Sequence, residues 1–328
     1  MQHRSSLKVT LALGALLTGV GIAHAQSLSY QTLDNPSAAN QGTVYSLRID
    51  GNNIVEDYAQ SSGAQSYLYN GSSWSSYSAP SAVPGTTLVT GISGSETVGN
   101  YVNYSGQQAN FVNNGSSYSS LNVPNSTANS TVVSGISGNN VAGYFTQAGR
   151  ASSFLYNPST GYTILTEPNA TGTTAAYHYN SGGTYAYGIS GNSVVGAYNQ
   201  GGYFQGFLYN GGQWTSLSAP SAQQTYAIGM SGNYIVGYDV IGGVNQGFLY
   251  NTTTGAWTAV LDPLGSLGTT VTGISGNTLV GTYVNATGSH GFVASLAVAP
   301  GAPAPPMTAC LAFAGVLVLQ ALRRRRIA

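Results

Sequence analysis

Charge is what this sequence has least of. Only 5% of its 328 residues are Asp, Glu, Lys or Arg, and the balance of eight acids against eight bases hides an uneven distribution. All eight acids (Asp34, Asp50, Glu56, Asp57, Glu96, Glu167, Asp239 and Asp262) lie between Gln26 and Pro300. That stretch holds two bases, Arg48 and Arg150, and no lysine, so its net charge is about −6. Such a body cannot neutralise a phosphate backbone, which excludes nucleic acid as a partner. Cysteine is nearly missing: Cys310 stands alone, no intrachain disulfide can form, and the fold must hold through packing and backbone pairing. The body has two histidines, His178 and His290, and no His-rich or Asp-x-Asp spacing. No metal site and no cofactor is expected.

What the sequence does have begins at its two ends. Arg4 and Lys8 precede an apolar stretch over residues 9–22, and Ala23 and Ala25 place small residues where a signal peptidase reads them. The spacing predicts a secretory signal over residues 1–25, cleaved before Gln26. At the other end a Pro/Ala linker over residues 299–306 leads to an apolar run closed by Arg323, Arg324, Arg325 and Arg326. The run, 307–322, is marginal for crossing about 30 Å of hydrocarbon. The arginines would keep the tail end cytoplasmic, with the body outside. Proline motif, short apolar helix and terminal arginines together resemble the PEP-CTERM sorting tail of Gram-negative bacteria. Here Pro303-Ala304-Pro305-Pro306 stands where that family has Pro-Glu-Pro. The resemblance implies transient residence in the inner membrane, processing by an exosortase-type enzyme and delivery to the cell surface or extracellular matrix; the alternative is a plain C-terminal anchor that keeps the body in the inner membrane, facing the periplasm.

Glycine (45) and tyrosine (24) dominate the body, and they recur with a period. Hairpin glycines fall at 51, 94, 138, 191, 232 and 276. Aromatics fall at Tyr30, Trp74, Tyr118, Tyr162, Trp214 and Trp257, and prolines at 36, 80, 124, 168, 220 and 263. Three residue types keep a spacing near 44, and all three stretch in one interval. Each unit contains four short strand patterns, as in "TYAYGIS", "SVVGAY", "QGFLYN" and "QWTSLSAP" of residues 184–220, with Ser-Gly-Asn and Asn-Gly-Gly turns between them. Four antiparallel strands per unit of this length is the arithmetic of a β-propeller blade. Two hairpin turns per unit argue against the rival, a parallel solenoid.

The last unit ends at "HGFVASLAV" without a fourth strand, whereas residues 29–43 align with the fourth strand of the next unit, Tyr30 on Trp74 and Pro36 on Pro80. The expected architecture is therefore all-β: a six-bladed propeller of four-stranded blades over residues 26–298, closed by the N-terminal strand completing the last blade. "GISGNTLVG" and "HGFVASL" in the final unit also resemble the extracellular HAF repeat family. That likeness implies an exported repeat protein and no defined activity.

Two irregularities carry the site candidates. Five units have glycine on the first strand (Gly91, Gly135, Gly188, Gly229, Gly273) where the first unit has Arg48. Five have glycine on the second strand (Gly99, Gly143, Gly196, Gly237, Gly281) where it has Glu56, followed by Asp57. Either Arg48 enters a central channel with Glu56 and Asp57 forming a polar ligand site, or the charges form a salt bridge in place of a Gly–Gly contact. A three-residue turn would pair positions 48 and 56 directly; a two-residue turn would offset them. The second irregularity is the inserted run "TGTTAAYHYNSGG" at 171–183, where Tyr177, His178 and Tyr179 offer aromatic rings and hydroxyls suited to sugar faces. Glu56 and Asp57 are sequence neighbours and point to opposite faces of a strand, a poor acid–base pair. The expected function is an exported, non-enzymatic surface or matrix protein with exopolysaccharide as a partner. A secreted propeller enzyme acting on glycans or lactone-like substrates is the alternative.

Overall fold

The computed structural model describes residues 28–35, 43–60, 63–171 and 182–297. The chain divides into two units, Met1–Leu296 and Ala297–Ala328. The leader with Ala23 and Ala25, the Tyr177–Tyr179 run and the tail with Pro303, Pro305, Pro306 and Arg323–Arg326 lie outside the described residues. No helix among the described residues is long and apolar enough to cross a membrane.

Among the described residues, twenty-four strands form six sheets of four. The first sheet holds β2 (Val44–Asp50), β3 (Asn53–Gln60), β4 (Gly63–Tyr69) and β5 (Trp74–Tyr77). The second holds β6 (Leu88–Ser93), β7 (Glu96–Val102), β8 (Gln108–Asn113) and β9 (Tyr118–Ser119), and the third β10 (Val132–Ser137), β11 (Asn140–Gln147), β12 (Arg150–Asn157) and β13 (Gly161–Leu165). The fourth holds β14 (Thr184–Ser190), β15 (Ser193–Gln200), β16 (Tyr203–Asn210) and β17 (Gln213–Leu217), and the fifth β18 (Gln224–Ser231), β19 (Tyr234–Ile241), β20 (Val244–Asn251) and β21 (Trp257–Val260). The sixth runs β22 (Gly268–Ser275), β23 (Thr278–Asn285), β24 (Gly288–Leu296), then β1 (Leu28–Thr32). The N-terminal strand thus closes the ring, antiparallel to β24 with Leu28 opposite Leu296 and Thr32 opposite Phe292.

Local chemistry explains why each unit takes this form. The first two strands of every blade meet at a two-residue turn, as Ser190 opposite Ser193 shows. Its glycine has φ between 52° and 59° in all six blades, a conformation that costs other residues about 1–2 kcal/mol. The residue before that glycine is serine in five blades and Asp50 in the first, and it reaches the neighbouring blade. The N–H of Gly94 donates to Asp50, Gly138 to Ser93, Gly191 to Ser137, Gly276 to Ser231, and Gly51 to Ser275 across the closure. The Ser-Gly of the repeat is therefore a latch between blades as well as a turn.

Packing follows the same period. Phe111, Phe154, Phe207, Phe248 and Phe292 on the third strands are nearly or fully buried, each contributing about 1.5–3 kcal/mol. The periodic aromatics of the fourth strands lie on them: Tyr30 on Phe292 at 5.8 Å, Trp214 on Phe207 at 5.1 Å, Trp257 on Phe248 at 4.8 Å. Six apolar clusters sit between successive blades. One of them, with Val44, Leu47, Tyr58 and Val280, joins the first blade to the sixth.

Candidate functional site

The first strands of all six blades surround an axial cavity of about 70 Å³, walled by Ile49, Ile92, Ile136, Ile189 and Ile274 and by backbone. Five glycines bring these strands close. A Cβ on Gly91 would lie 2.8 Å from the Cα of Gly135, and one on Gly188 would lie 2.4 Å from the Ile228 carbonyl oxygen. Arg48 occupies the corresponding place on β2, so one blade puts a guanidinium where the others have hydrogen. Its Nε donates to the Thr90 carbonyl (3.0 Å) and its Nη1 to the Leu47 carbonyl (3.0 Å). Burial lowers the Arg48 pKa from its ordinary value, and the nearby charge of Asp57 partly opposes that.

Arg48 and Glu56 are not partners. The two-residue turn pairs Arg48 with Val55 and Glu56 with Leu47. The salt-bridge reading of this hairpin is corrected on that ground: the offset sends the two side chains to different surroundings. Asp57 stays behind the channel wall, accepting hydrogen bonds from Ser46 (2.7 Å) and from Ser66. Burial raises its pKa, and the serine bonds moderate the effect.

Glu56 exists on its strand because the whole blade is rearranged. In blades two to six a bulge in the first strand, at Thr90, Ser134, Tyr187, Ile228 or Thr272, presses a carbonyl onto the second-strand glycine. A Cβ on Gly281 would lie 2.1 Å from the Thr270 oxygen and 2.8 Å from the Phe292 ring. In the first blade the bulge moves to Tyr45, and Tyr67 replaces the phenylalanine opposite, which leaves room for a carboxylate. Glu56 is 0% exposed, and neither of its oxygens has a hydrogen-bond partner. Burial raises its pKa to about 9, with the charge of Asp34 adding to the shift and the nearby Tyr58 hydroxyl and Asn35 N–H, bonded to each other at 3.0 Å, opposing it. A neutral acid with no access to solvent cannot meet a substrate.

The seam beside Glu56 is held by groups that the periodic comparison passed over. Asp34, just past β1, takes His290 Nδ1 at 3.0 Å on one oxygen and the Gly291 N–H at 3.1 Å on the other. His290 stacks on Tyr283 at 5.1 Å, and its Nε2 lies 2.9 Å from Thr287 Oγ1. Acid, imidazole and hydroxyl stand in the order of a catalytic triad. Thr287, however, is on an exposed turn and its hydroxyl is bound to Asn285 at 2.6 Å. The chain of contacts pins the N-terminal strand to β24. The sequence clue was that His290 is the one aligned histidine, in the blade that lacks its own fourth strand.

A tyrosine cluster spans blades three to five. Tyr144 meets Tyr185 edge-on at 5.2 Å, Tyr185 meets Phe204 at 5.9 Å, Phe204 meets Tyr226 at 5.3 Å, and Tyr226 stacks on Tyr238 at 4.8 Å. Tyr187, which lines the axial cavity, has its pKa driven up by burial first and then by the neighbouring phenols of Tyr144, Tyr238, Tyr226 and Tyr185. Four phenols therefore converge around one channel-lining ring. The described ends of the insertion attach beside them. The Thr171 N–H donates to the Asn199 carbonyl (2.7 Å), and Ala151, packed in this cluster, donates to the Gly182 carbonyl.

No protein-family model matches the sequence, and no curated protein matches it either. Solved structures do match. SapL1 lectin in complex with alpha methyl fucoside superposes with a TM-score of 0.51 at 16% identity, over 80% of this chain and 97% of that one. A fungal lectin from Aleuria aurantia, described as a six-bladed β-propeller with a novel fucose recognition mode, gives 0.45 at 17% identity over 81% and 98%. TolB from Acinetobacter baumannii gives 0.43 at 12% identity over 78% and 63%. At these identities the likeness concerns the fold alone; the strand order shows that the described residues between Leu28 and Leu296 form a six-bladed β-propeller of four-stranded antiparallel blades.

Proposed function

We propose that this chain is an exported, non-enzymatic repeat protein of the cell surface or extracellular matrix that holds exopolysaccharide at its tyrosine-rich face. The observation that carries the reading is the set of half-buried tyrosines Tyr144, Tyr187, Tyr226 and Tyr238, packed around the buried Tyr185 beside the described ends of the insertion, Thr171 and Gly182. Tyrosine combines a flat apolar ring with a hydroxyl, which matches the alternating C–H and O–H faces of a sugar. A body with so few charges suits a neutral or weakly acidic glycan. SapL1 lectin, of similar fold and solved with alpha methyl fucoside, adds support. Export follows from the 1–25 leader. The PEP-CTERM-like tail adds transient retention in the inner membrane and processing by an exosortase-type enzyme, and the HAF-like repeat fits the same destination.

The test is retention of the full-length chain on the producer's own exopolysaccharide. Wild type should be retained, and a Tyr226→Ala/Tyr238→Ala double variant with an unchanged melting temperature should lose at least tenfold in affinity. Equal retention of both, or of neither, would overturn the assignment of this face.

A further inference from the structure

We propose that the axial channel holds one small monovalent anion, of the size of chloride or formate, against Arg48. A guanidinium carries five N–H donors in a planar fork and stays charged at any ordinary pH. Here Nε and Nη1 each meet one backbone carbonyl, and Nη2 has no partner among the described residues. No carboxylate lies within ion-pair distance of Arg48; the ion pair recorded among the described residues is Asp34–His290. Asp57 acts on Arg48 through space, while its own oxygens are taken by Ser46 and Ser66.

A half-buried cation with a donor to spare on the channel side attracts a charge of opposite sign. The surroundings limit what that can be. Isoleucine side chains and glycine backbone share the wall with the hydroxyl-bearing Thr90, Ser134, Tyr187 and Thr272, a mixed lining in which Arg48 is the one charged group. The Ser134 residue lines the same space and offers a hydroxyl. At about 70 Å³ the cavity admits an ion or a few waters. A sugar ring needs a pocket of the usual ligand size, several hundred Å³. One cation with an aspartate behind it suits a single negative charge better than a dianion. Tyr187 belongs to both this space and the tyrosine cluster, but Arg48→Met and Tyr226→Ala/Tyr238→Ala change different groups, so either proposal can fail without the other.

Thermal melts of the full chain at constant ionic strength, with sodium gluconate replaced stepwise by sodium chloride or sodium formate, give the first readout. Wild type should show a saturable rise in melting temperature. Arg48→Met, which keeps the apolar stem, should lose that rise, whereas Arg48→Lys should retain part of it. An identical anion response in wild type and Arg48→Met would mean a general salt effect and would overturn the proposal. Should Arg48→Met not fold, wild-type crystals soaked in sodium bromide decide the matter. An anomalous peak in the channel within about 3.5 Å of a guanidinium nitrogen supports the site, and an empty channel rejects it.

Discussion

A single buried carboxyl sets the pH response expected of the ring. Glu56 is neutral in the native seam up to about pH 9, whereas in the unfolded chain it ionises in the ordinary carboxylate range. Below that range both states hold the proton and the residue carries no penalty. As pH rises from there towards 9, unfolding releases a proton that the native state must keep, so stability falls, by at most about 1.4 kcal/mol per pH unit. Above about 9 the native group ionises too and the loss levels off. Asp57 and Asp239, whose pKa values burial also raises, slope the same way. The comparison with Glu56→Gln therefore isolates this one group. The variant should match wild type near pH 4 and exceed it by a few kcal/mol at pH 8 in calorimetric melts; parallel curves would show that the seam is not charged by this residue. At this scale the sequence was half legible. Replacement of both hairpin glycines marked blade one as different. The turn length that separates Arg48 from Glu56, and the moved bulge that makes room for the carboxylate, could not be read, because both depend on how one strand lies on the next.

At the scale of the hairpin, glycine has two distinct jobs that look alike in the repeat. Gly276 sits at the turn with φ +56° and nothing within 4 Å of a Cβ, so Gly276→Ala should cost only backbone strain, about 1–2 kcal/mol. Gly281, five positions on, lies under a bulge carbonyl and a phenylalanine ring. Gly281→Ala should cost about 3 kcal/mol or more, since neither backbone nor a buried ring can retreat cheaply. Urea midpoints of the two variants will rank them; equal values would mean that the bulge relaxes. The serine latches are smaller devices. Ser137→Ala removes the acceptor for Gly191 N–H at an exposed site and should cost about 0.5–1 kcal/mol. Strand order, turn position and the aromatic of each fourth strand were readable because hairpins are local. The latch was not, because the serine's partner lies 45 or more residues away in most blades.

For the whole molecule, closure is what matters. Beside β1, Asp34 binds both His290 and the backbone of Gly291, and Tyr30 covers Phe292. Deleting residues 27–41 should bare the outer edge of β24, lower the melting temperature by 10 °C or more (on the order of several kcal/mol), and produce higher oligomers in size-exclusion chromatography through edge pairing. An unchanged melting transition in a monomer would refute the closure. The sequence by itself determined the number of blades, their strands and the joining of the two ends. Those follow from a period carried by several residue types, and a period survives in one dimension. Only the tertiary structure decided that Arg48 faces the channel while Glu56 is sealed in the seam, that the serines of the repeat hold neighbouring blades together, and that tyrosines from three blades meet around Tyr187. Each is a contact between residues far apart in the chain, fixed by the angle at which one sheet packs on another, and no local pattern records that angle.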